Sequence, residues 1–222
     1  MHPQKNIIMD IYSLLYPHFN IKNWWTTDTA FEVILGAILT QHTSWKNVEK
    51  TLSKLKDEKL IDPYSLSITS SKKIESLIKS TGFYRTKTKR LKLISFILIK
   101  NYFGSTDRFL NRDTKIVRNN LIHINGIGPE TADSILLYGG KHMVFPIDAY
   151  TTRIFKRFGI NFTNYDNLKK YFEDHLPKNI KVYRNMHALI VSLGKTICKP
   201  KPLCNLCPLI NDCKYGSNSY KT

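Results

Sequence analysis

Leu121-Ile122-His123-Ile124-Asn125-Gly126-Ile127-Gly128-Pro129-Glu130-Thr131-Ala132-Asp133-Ser134-Ile135-Leu136 reads as a helix end, a Gly-Ile-Gly turn and the start of a second helix. Glycine opens backbone conformations that other residues resist, and it lets the main chain approach a ligand closely. Pro129 suits a first helical turn, where its missing N–H costs nothing. Ile127, between the glycines, is expected to anchor the turn in the core. A helix N-terminus preceded by bare glycines presents N–H groups to an anion. Two readings stand: a plain helix–helix connection, or a grip on DNA phosphates through Gly126, Ile127, Gly128 and Thr131. The flanking helices and the charge of the chain favour the second.

That charge is large. The 222 residues carry 34 Lys+Arg against 17 Asp+Glu, a formal net charge of +17. Such an excess points to a polyanionic partner, nucleic acid or an anionic membrane surface. The basic residues are spread along the chain, which favours a folded binding face over a tethering arm. No apolar run approaches the ~18 residues that would span a bilayer. The start, Met1-His2-Pro3-Gln4-Lys5, lacks a signal-type apolar segment. The chain is therefore expected to be cytoplasmic, with reduced thiols and no membrane partner.

Helical periodicity dominates. Thr29-Ala30-Phe31-Glu32 has the form of a capping box ahead of Val33, Ile34, Ala37 and Ile38. Ser71 could cap a helix with Ile74, Leu77 and Ile78 on one face, ended by Thr81-Gly82. A basic helix is expected over about 86–102, closed by Gly104. Others are expected around 114–122, 130–138, 149–158, 166–175 and 182–196. No run alternates as a strand would, so the fold class is all-α.

Asp148, eighteen residues after Glu130, lies in Val144-Phe145-Pro146-Ile147-Asp148-Ala149-Tyr150-Thr151-Thr152-Arg153-Ile154. Asp148 follows an apolar stretch and precedes a helix. Aspartate is a favoured N-cap and could do only that. It could also be catalytic if it faces a substrate pocket. Position alone leaves both open.

The four cysteines form Cys198-x5-Cys204-x2-Cys207-x5-Cys213. Four thiolates within so short a segment can wrap one compact metal centre, so ligation is favoured over a disulfide framework. Four cysteines also suit tetrahedral zinc, though zinc sites more often use two close pairs.

Taken in order, Gly126-Ile127-Gly128-Pro129-Glu130-Thr131-Ala132 followed by Ile147-Asp148-Ala149-Tyr150 resembles the helix-hairpin-helix, Gly/Pro-rich loop and aspartate signature of the endonuclease III superfamily of DNA glycosylases. The cysteine run resembles the C-terminal [4Fe-4S] loop of endonuclease III, with a first interval one residue shorter. The resemblance implies a two-lobed fold. Residues 23–142 would form a helical barrel ending in the hairpin of about 121–136; residues 1–22 plus 143–222 would carry the iron–sulfur loop at 198–213. It implies a [4Fe-4S] cluster on Cys198, Cys204, Cys207 and Cys213, with structural zinc as the alternative. It also implies a monomer acting on double-stranded DNA with a damaged base, and Asp148 as the catalytic aspartate.

Bifunctional members place a lysine where this chain has Glu130. A carboxylate cannot form an imine, which implies a monofunctional, water-using glycosylase. Glu130 may serve the active site or simply favour the helix dipole. Trp24-Trp25, Leu39-Thr40-Gln41-His42-Thr43 and Gly82-Phe83-Tyr84 with Lys87-Thr88-Lys89-Arg90-Leu91 look closest to the type III 3-methyladenine DNA glycosylases. That implies release of an alkylated purine such as 3-methyladenine. The pocket candidates are Trp24, Trp25, Trp45 and His42, each of which could equally be a packing residue. Gln41 resembles the residue that fills the gap left by a flipped base; a solvent-exposed helix end is the competing reading. Arg85, Lys87 and Lys89 are expected on the DNA-binding face. Two alternatives remain: an endonuclease III-like glycosylase/AP lyase acting on oxidised pyrimidines, and a non-catalytic helix-hairpin-helix module.

Overall fold

A computed structural model describes residues 6–22, 24, 25 and 27–219. The expected lobe boundary at Asn23 lies outside them. The described residues form thirteen α-helices and contain no strand: α1 (Ile7–Leu15), α2 (Ala30–Leu39), α3 (Trp45–Asp57), α4 (Pro63–Ile68), α5 (Ser71–Ile78), α6 (Tyr84–Tyr102), α7 (Thr106–Leu110), α8 (Thr114–Ile122), α9 (Pro129–Tyr138), α10 (Ala149–Phe158), α11 (Tyr165–His175), α12 (Ile180–Thr196) and α13 (Lys214–Ser219). The fold class is all-α. No helix among them is long and apolar enough to cross a membrane. The chain divides into two compact units, Thr27–His142 and the combination of Met1–Thr26 with Met143–Thr222.

The first unit is built on α2. Thr29 Oγ1 accepts from the Glu32 N–H at 3.1 Å, and Glu32 Oε2 accepts from the Asp28 N–H at 2.9 Å. This is a capping box whose return bond lands one residue before the cap. Every residue of α2 from Phe31 to Leu39 is buried, so the helix is the core of its unit. Helix α5 is capped one residue earlier than expected, by Ser70, whose Oγ accepts from Lys73 N. The basic helix α6 begins at Tyr84, ahead of the expected start, because Phe83 turns the chain in a left-handed conformation.

In the second unit, α10 and α12 pack on one another, and α1 and α13 join them. Phe145 and Phe172 stack at 4.1 Å, and Phe155 tilts onto Phe172 at 4.6 Å. This aromatic wall supports the segment that ends at Asp148.

Candidate DNA-repair site

The hairpin takes its shape from local backbone demands and one buried ion pair. Gly126 adopts φ 87°, a conformation that favours glycine. The Ile127 N–H closes the turn on Ile124 O at 2.9 Å, and the Ile127 side chain is buried. Gly128 is the N-cap of α9, yet no side chain caps that helix, and a Cβ on Gly128 would meet nothing within 4 Å. No side chain caps the start of α9, and Gly128 is exposed beside it, an arrangement that suits an anion. Arg118 on α8 holds Asp133 on α9 through two bonds, Nε–Oδ1 at 2.7 Å and Nη2–Oδ2 at 3.1 Å.

Gln41 braces the turn from the end of α2. Its Nε2 donates to Gly126 O at 2.9 Å and to Thr131 Oγ1 at 3.0 Å, while Arg90 Nη1 donates to Gln41 Oε1 at 2.7 Å. The amide expected to fill a vacated base stack is thus engaged by the hairpin. A Cβ at Gly126 would fall 1.9 Å from Arg90 Nε, so a side chain there would displace the guanidinium that bonds to Gln41. Helices α3 and α6 resemble α9 in starting without a side-chain cap. The three starts belong to neighbouring loops, joined by the Arg90–Gln41–Gly126 chain and by the His42 and Phe83 rings, 5.6 Å apart. Exposed Arg85 and Lys89 lie on α6 beside them.

Lys87 does not join that face. It is 1% exposed, and its Nζ donates to Leu39 O at 2.8 Å and Thr81 O at 2.7 Å. The expectation that Lys87 binds DNA is corrected: it satisfies a carbonyl left open at the end of α2 and another at Thr81. Burial, with Arg90 nearby, lowers its pKa to about 8. Lys87→Met is expected to lower unfolding stability by about 2 kcal/mol, measured as a urea midpoint shift, because two carbonyls lose their donor. Its DNA affinity should keep the wild-type salt dependence, whereas Lys89→Ala should reduce the salt slope by about one. Equal salt slopes for wild type and Lys89→Ala would take Lys89 off the interface.

Of the expected base-pocket residues, His42 is exposed with φ 57°, and Trp45 opens α3. The Trp45 ring packs about Gly36, and its Nε1 donates to Glu49 Oε1 at 2.7 Å. Trp24 and Trp25 belong to the other unit. Lys195 Nζ sits 5.4 Å from the Trp24 ring centroid, and Trp24 shares a cationic pocket with Lys22, Lys181 and Arg184. Trp25 has φ 49°. Glu130 is exposed in the first turn of α9.

Asp148 is 9% exposed and caps α10. Its Oδ1 accepts from the Thr151 N–H at 2.6 Å and the Thr151 hydroxyl at 2.8 Å; its Oδ2 lies 3.6 Å from His187 Nε2. Burial alone would raise its pKa, but His187 and the two Thr151 donors outweigh burial and hold the carboxyl below the usual carboxylate range. A buried group kept ionised at a helix start can act as a fixed negative charge.

The four cysteines line one pocket, with Arg157 and Tyr215 among its walls. Arg157 donates to Cys198 Sγ at 3.2 Å, Lys199 O at 2.6 Å and Pro200 O at 2.8 Å. Arg153 donates to Cys198 O at 2.9 Å and Gly194 O at 3.0 Å. Burial pushes the Cys204 and Cys207 thiols upward. Among the described residues no group of three or more His, Cys, Asp or Glu is placed to hold a metal ion.

Arg90, Arg118, Arg157 and His187 carry much of this geometry and were not singled out from sequence. No local pattern marks them, because each acts on a partner at least fifteen residues away.

An all-α chain with an uncapped glycine hairpin and a buried, ionised aspartate at a helix start defines a helix-hairpin-helix protein of the DNA-repair type. The family model for HhH-GPD superfamily base excision DNA repair proteins matches residues 35–182. The Methanocaldococcus jannaschii protein named "Putative DNA repair glycosylase MJ1434" is 43% identical over 211 residues, covering 93% of this chain and 96% of its own. Endonuclease III of Thermotoga maritima is 30% identical over 187 residues, covering 83% of each. Among solved structures, the H. pylori 3-methyladenine DNA glycosylase MagIII bound to 1,N6-ethenoadenine superposes with a TM-score of 0.74 at 30% identity, covering 85% of this chain and 95% of that one. The chain belongs to the HhH-GPD superfamily of base excision DNA repair proteins.

Proposed function

We propose that the chain is a DNA N-glycosylase that hydrolyses the bond between a damaged base and its sugar in double-stranded DNA, with Asp148 as the essential carboxylate. The observation that carries this reading is the Asp148 side chain, buried yet held ionised by its neighbours. As the base departs, positive charge builds on the sugar, and a preorganised anion lowers the energy of that charge. Water then supplies the oxygen that replaces the base. Unit Thr27–His142 supplies the grip on DNA: the open start of α9 with Gly126, Ile127, Gly128 and Thr131, and exposed Arg85 and Lys89.

The reading is monofunctional. Glu130 cannot form an imine, and Lys87, whose pKa is lowered to about 8, is buried against two carbonyls. An alkylated purine is the substrate that fits best, being cationic when alkylated at a ring nitrogen. Aromatic faces attract cations, so a stacking pocket of aromatic side chains would favour such a base. The structural likeness to MagIII supports the same class.

We propose that the cysteine pocket takes a [4Fe-4S] cluster, on the chemistry of its side chains rather than on a preformed metal geometry. Its donor set is four thiols, and Arg153 and Arg157 fix the main chain around Cys198 by three bonds to its own and the next two carbonyls. Cys198, Cys204, Cys207 and Cys213 would hold the iron, and the bound cluster would supply a rigid cross-link for the C-terminal loop. Bound iron with visible absorption supports the cluster; bound zinc without it supports the alternative.

The deciding experiment incubates purified protein with duplexes bearing methylated purines, oxidised pyrimidines and deaminated or mismatched bases, with and without borohydride. Release of methylated purine with no trapped adduct is expected. A borohydride-trapped adduct on oxidised pyrimidine DNA would favour the lyase. Binding with no base released from any duplex would favour a non-catalytic module.

A further inference from the structure

Among the described residues three helices are capped by an aspartate: Asp62 on α4, Asp113 on α8 and Asp148 on α10. A cap needs one side-chain oxygen. At exposed Asp113 and half-buried Asp62 solvent reaches the carboxyl group. Asp148, at 9% exposure, has given Oδ1 to Thr151, and what faces Oδ2 is the imidazole of His187 at 3.6 Å. His187 is 5% exposed and comes from the buried face of α12, thirty-nine residues along the chain. Capping α10 does not require it.

The imidazole is itself held in place. Phe145, three residues before Asp148, meets the His187 ring edge-on at 89° with centroids 6.1 Å apart, and Phe145 is stacked on Phe172. The same aromatic wall thus orients both the histidine and the segment carrying the carboxylate. At 3.6 Å the contact is longer than a hydrogen bond and acts through charge and dipole, which are weakly screened in a buried setting.

From this geometry we infer that His187 is the positioning residue of the Asp148 carboxylate, facing Oδ2 while Thr151 holds Oδ1 and so fixing the rotation of the group about its Cβ–Cγ bond. The inference rests on the reading of Asp148 as the essential carboxylate. A fixed carboxylate plane presents its charge in one direction, which is the condition for preorganised stabilisation. Without His187 the buried Oδ2 loses the group facing it, and only the Thr151 bonds to Oδ1 restrain the rotation of the carboxylate.

His187→Met and His187→Gln test this, because they match in length and differ in the N–H that can face Oδ2. Both would be compared with wild type and Asp148→Asn in single-turnover base release, on whichever lesion duplex wild type cleaves best, with duplex affinity measured alongside. The Met variant is expected to release base about 100-fold more slowly, as misplacement of a catalytic group by a fraction of its size does. Its affinity should stay within about threefold of wild type, since a group acting only in the transition state leaves binding alone. The Gln variant should recover most of the lost rate. If Met does not fold, Leu takes its place as the variant without a donor. A donorless variant as fast as wild type, beside an inactive Asp148→Asn, would overturn the role of His187 and leave that of Asp148 standing. So would a Gln variant no faster than the donorless one. An active Asp148→Asn would instead overturn the reading beneath the inference.

Discussion

Replacing Asp148 with asparagine is expected to slow single-turnover base release by about 10³-fold or more, the scale on which one preorganised electrostatic group acts. The substitution is chosen because it isolates charge. Asparagine caps a helix as well as aspartate does, so the bond from the Thr151 N–H to the side-chain oxygen should survive. DNA affinity should be unchanged, because the groups assigned to phosphate belong to the unit Thr27–His142. Asp148→Ala would confound the measurement by also losing the cap, at about 1 kcal/mol. Unchanged turnover in Asp148→Asn would remove Asp148 from the mechanism.

A linked expectation concerns pH. The folded-state pKa of Asp148 is below its ordinary value. Its carboxylate therefore adds stability above the unfolded pKa, and that stability is lost as pH falls through the folded pKa. Asp148→Asn should be less sensitive to acid over that window.

What was legible in sequence was local. The hairpin declares itself because a left-handed residue at 126, an open N-cap at 128 and a proline at the first helical position each demand a residue type within four positions. Helices α8 and α10 start where the sequence places them, since each has an aspartate N-cap ahead of an apolar face. The capping box of α2 is local too. Helices α1, α3, α4, α7 and α13 have no counterpart among the expected elements. The buried stripe of α3 is Val48, Thr51, Leu52 and Leu55, in which a threonine and the surrounding lysines dilute the apolar pattern. Side-chain fates escaped where distant chain decides them. Lys87 looks like one more cation on a basic helix until Leu39 and Thr81 bring their carbonyls to it. Gln41 looks like a free helix end until the hairpin, eighty-five residues on, takes its amide. The pairing of His187 with Asp148 is invisible for the same reason.

The hairpin's dependence on a distant pair gives the second large effect, this time on stability. Asp133 is 0% exposed and Arg118 21%, so their two-bond contact is largely withdrawn from water. Removing one partner takes two charge-assisted bonds from the other, and the cost depends on whether the survivor can reach solvent. Arg118→Met leaves a carboxylate with no path to water and should cost about 4–5 kcal/mol, at the upper end for a broken buried pair. In Asp133→Leu the partly exposed guanidinium can swing outward, so the loss should fall nearer about 3 kcal/mol. The double variant Arg118→Met/Asp133→Leu should recover most of the stability, because no charge is then left buried. Urea unfolding followed by circular dichroism, with duplex affinity measured in parallel, reads the series. Both single variants should bind DNA more weakly than the double variant, since a leftover buried charge disturbs how α8 and α9 present the turn between them and the double variant leaves none. Singles as stable as wild type would mean that apolar packing of α8 on α9 alone holds the hairpin.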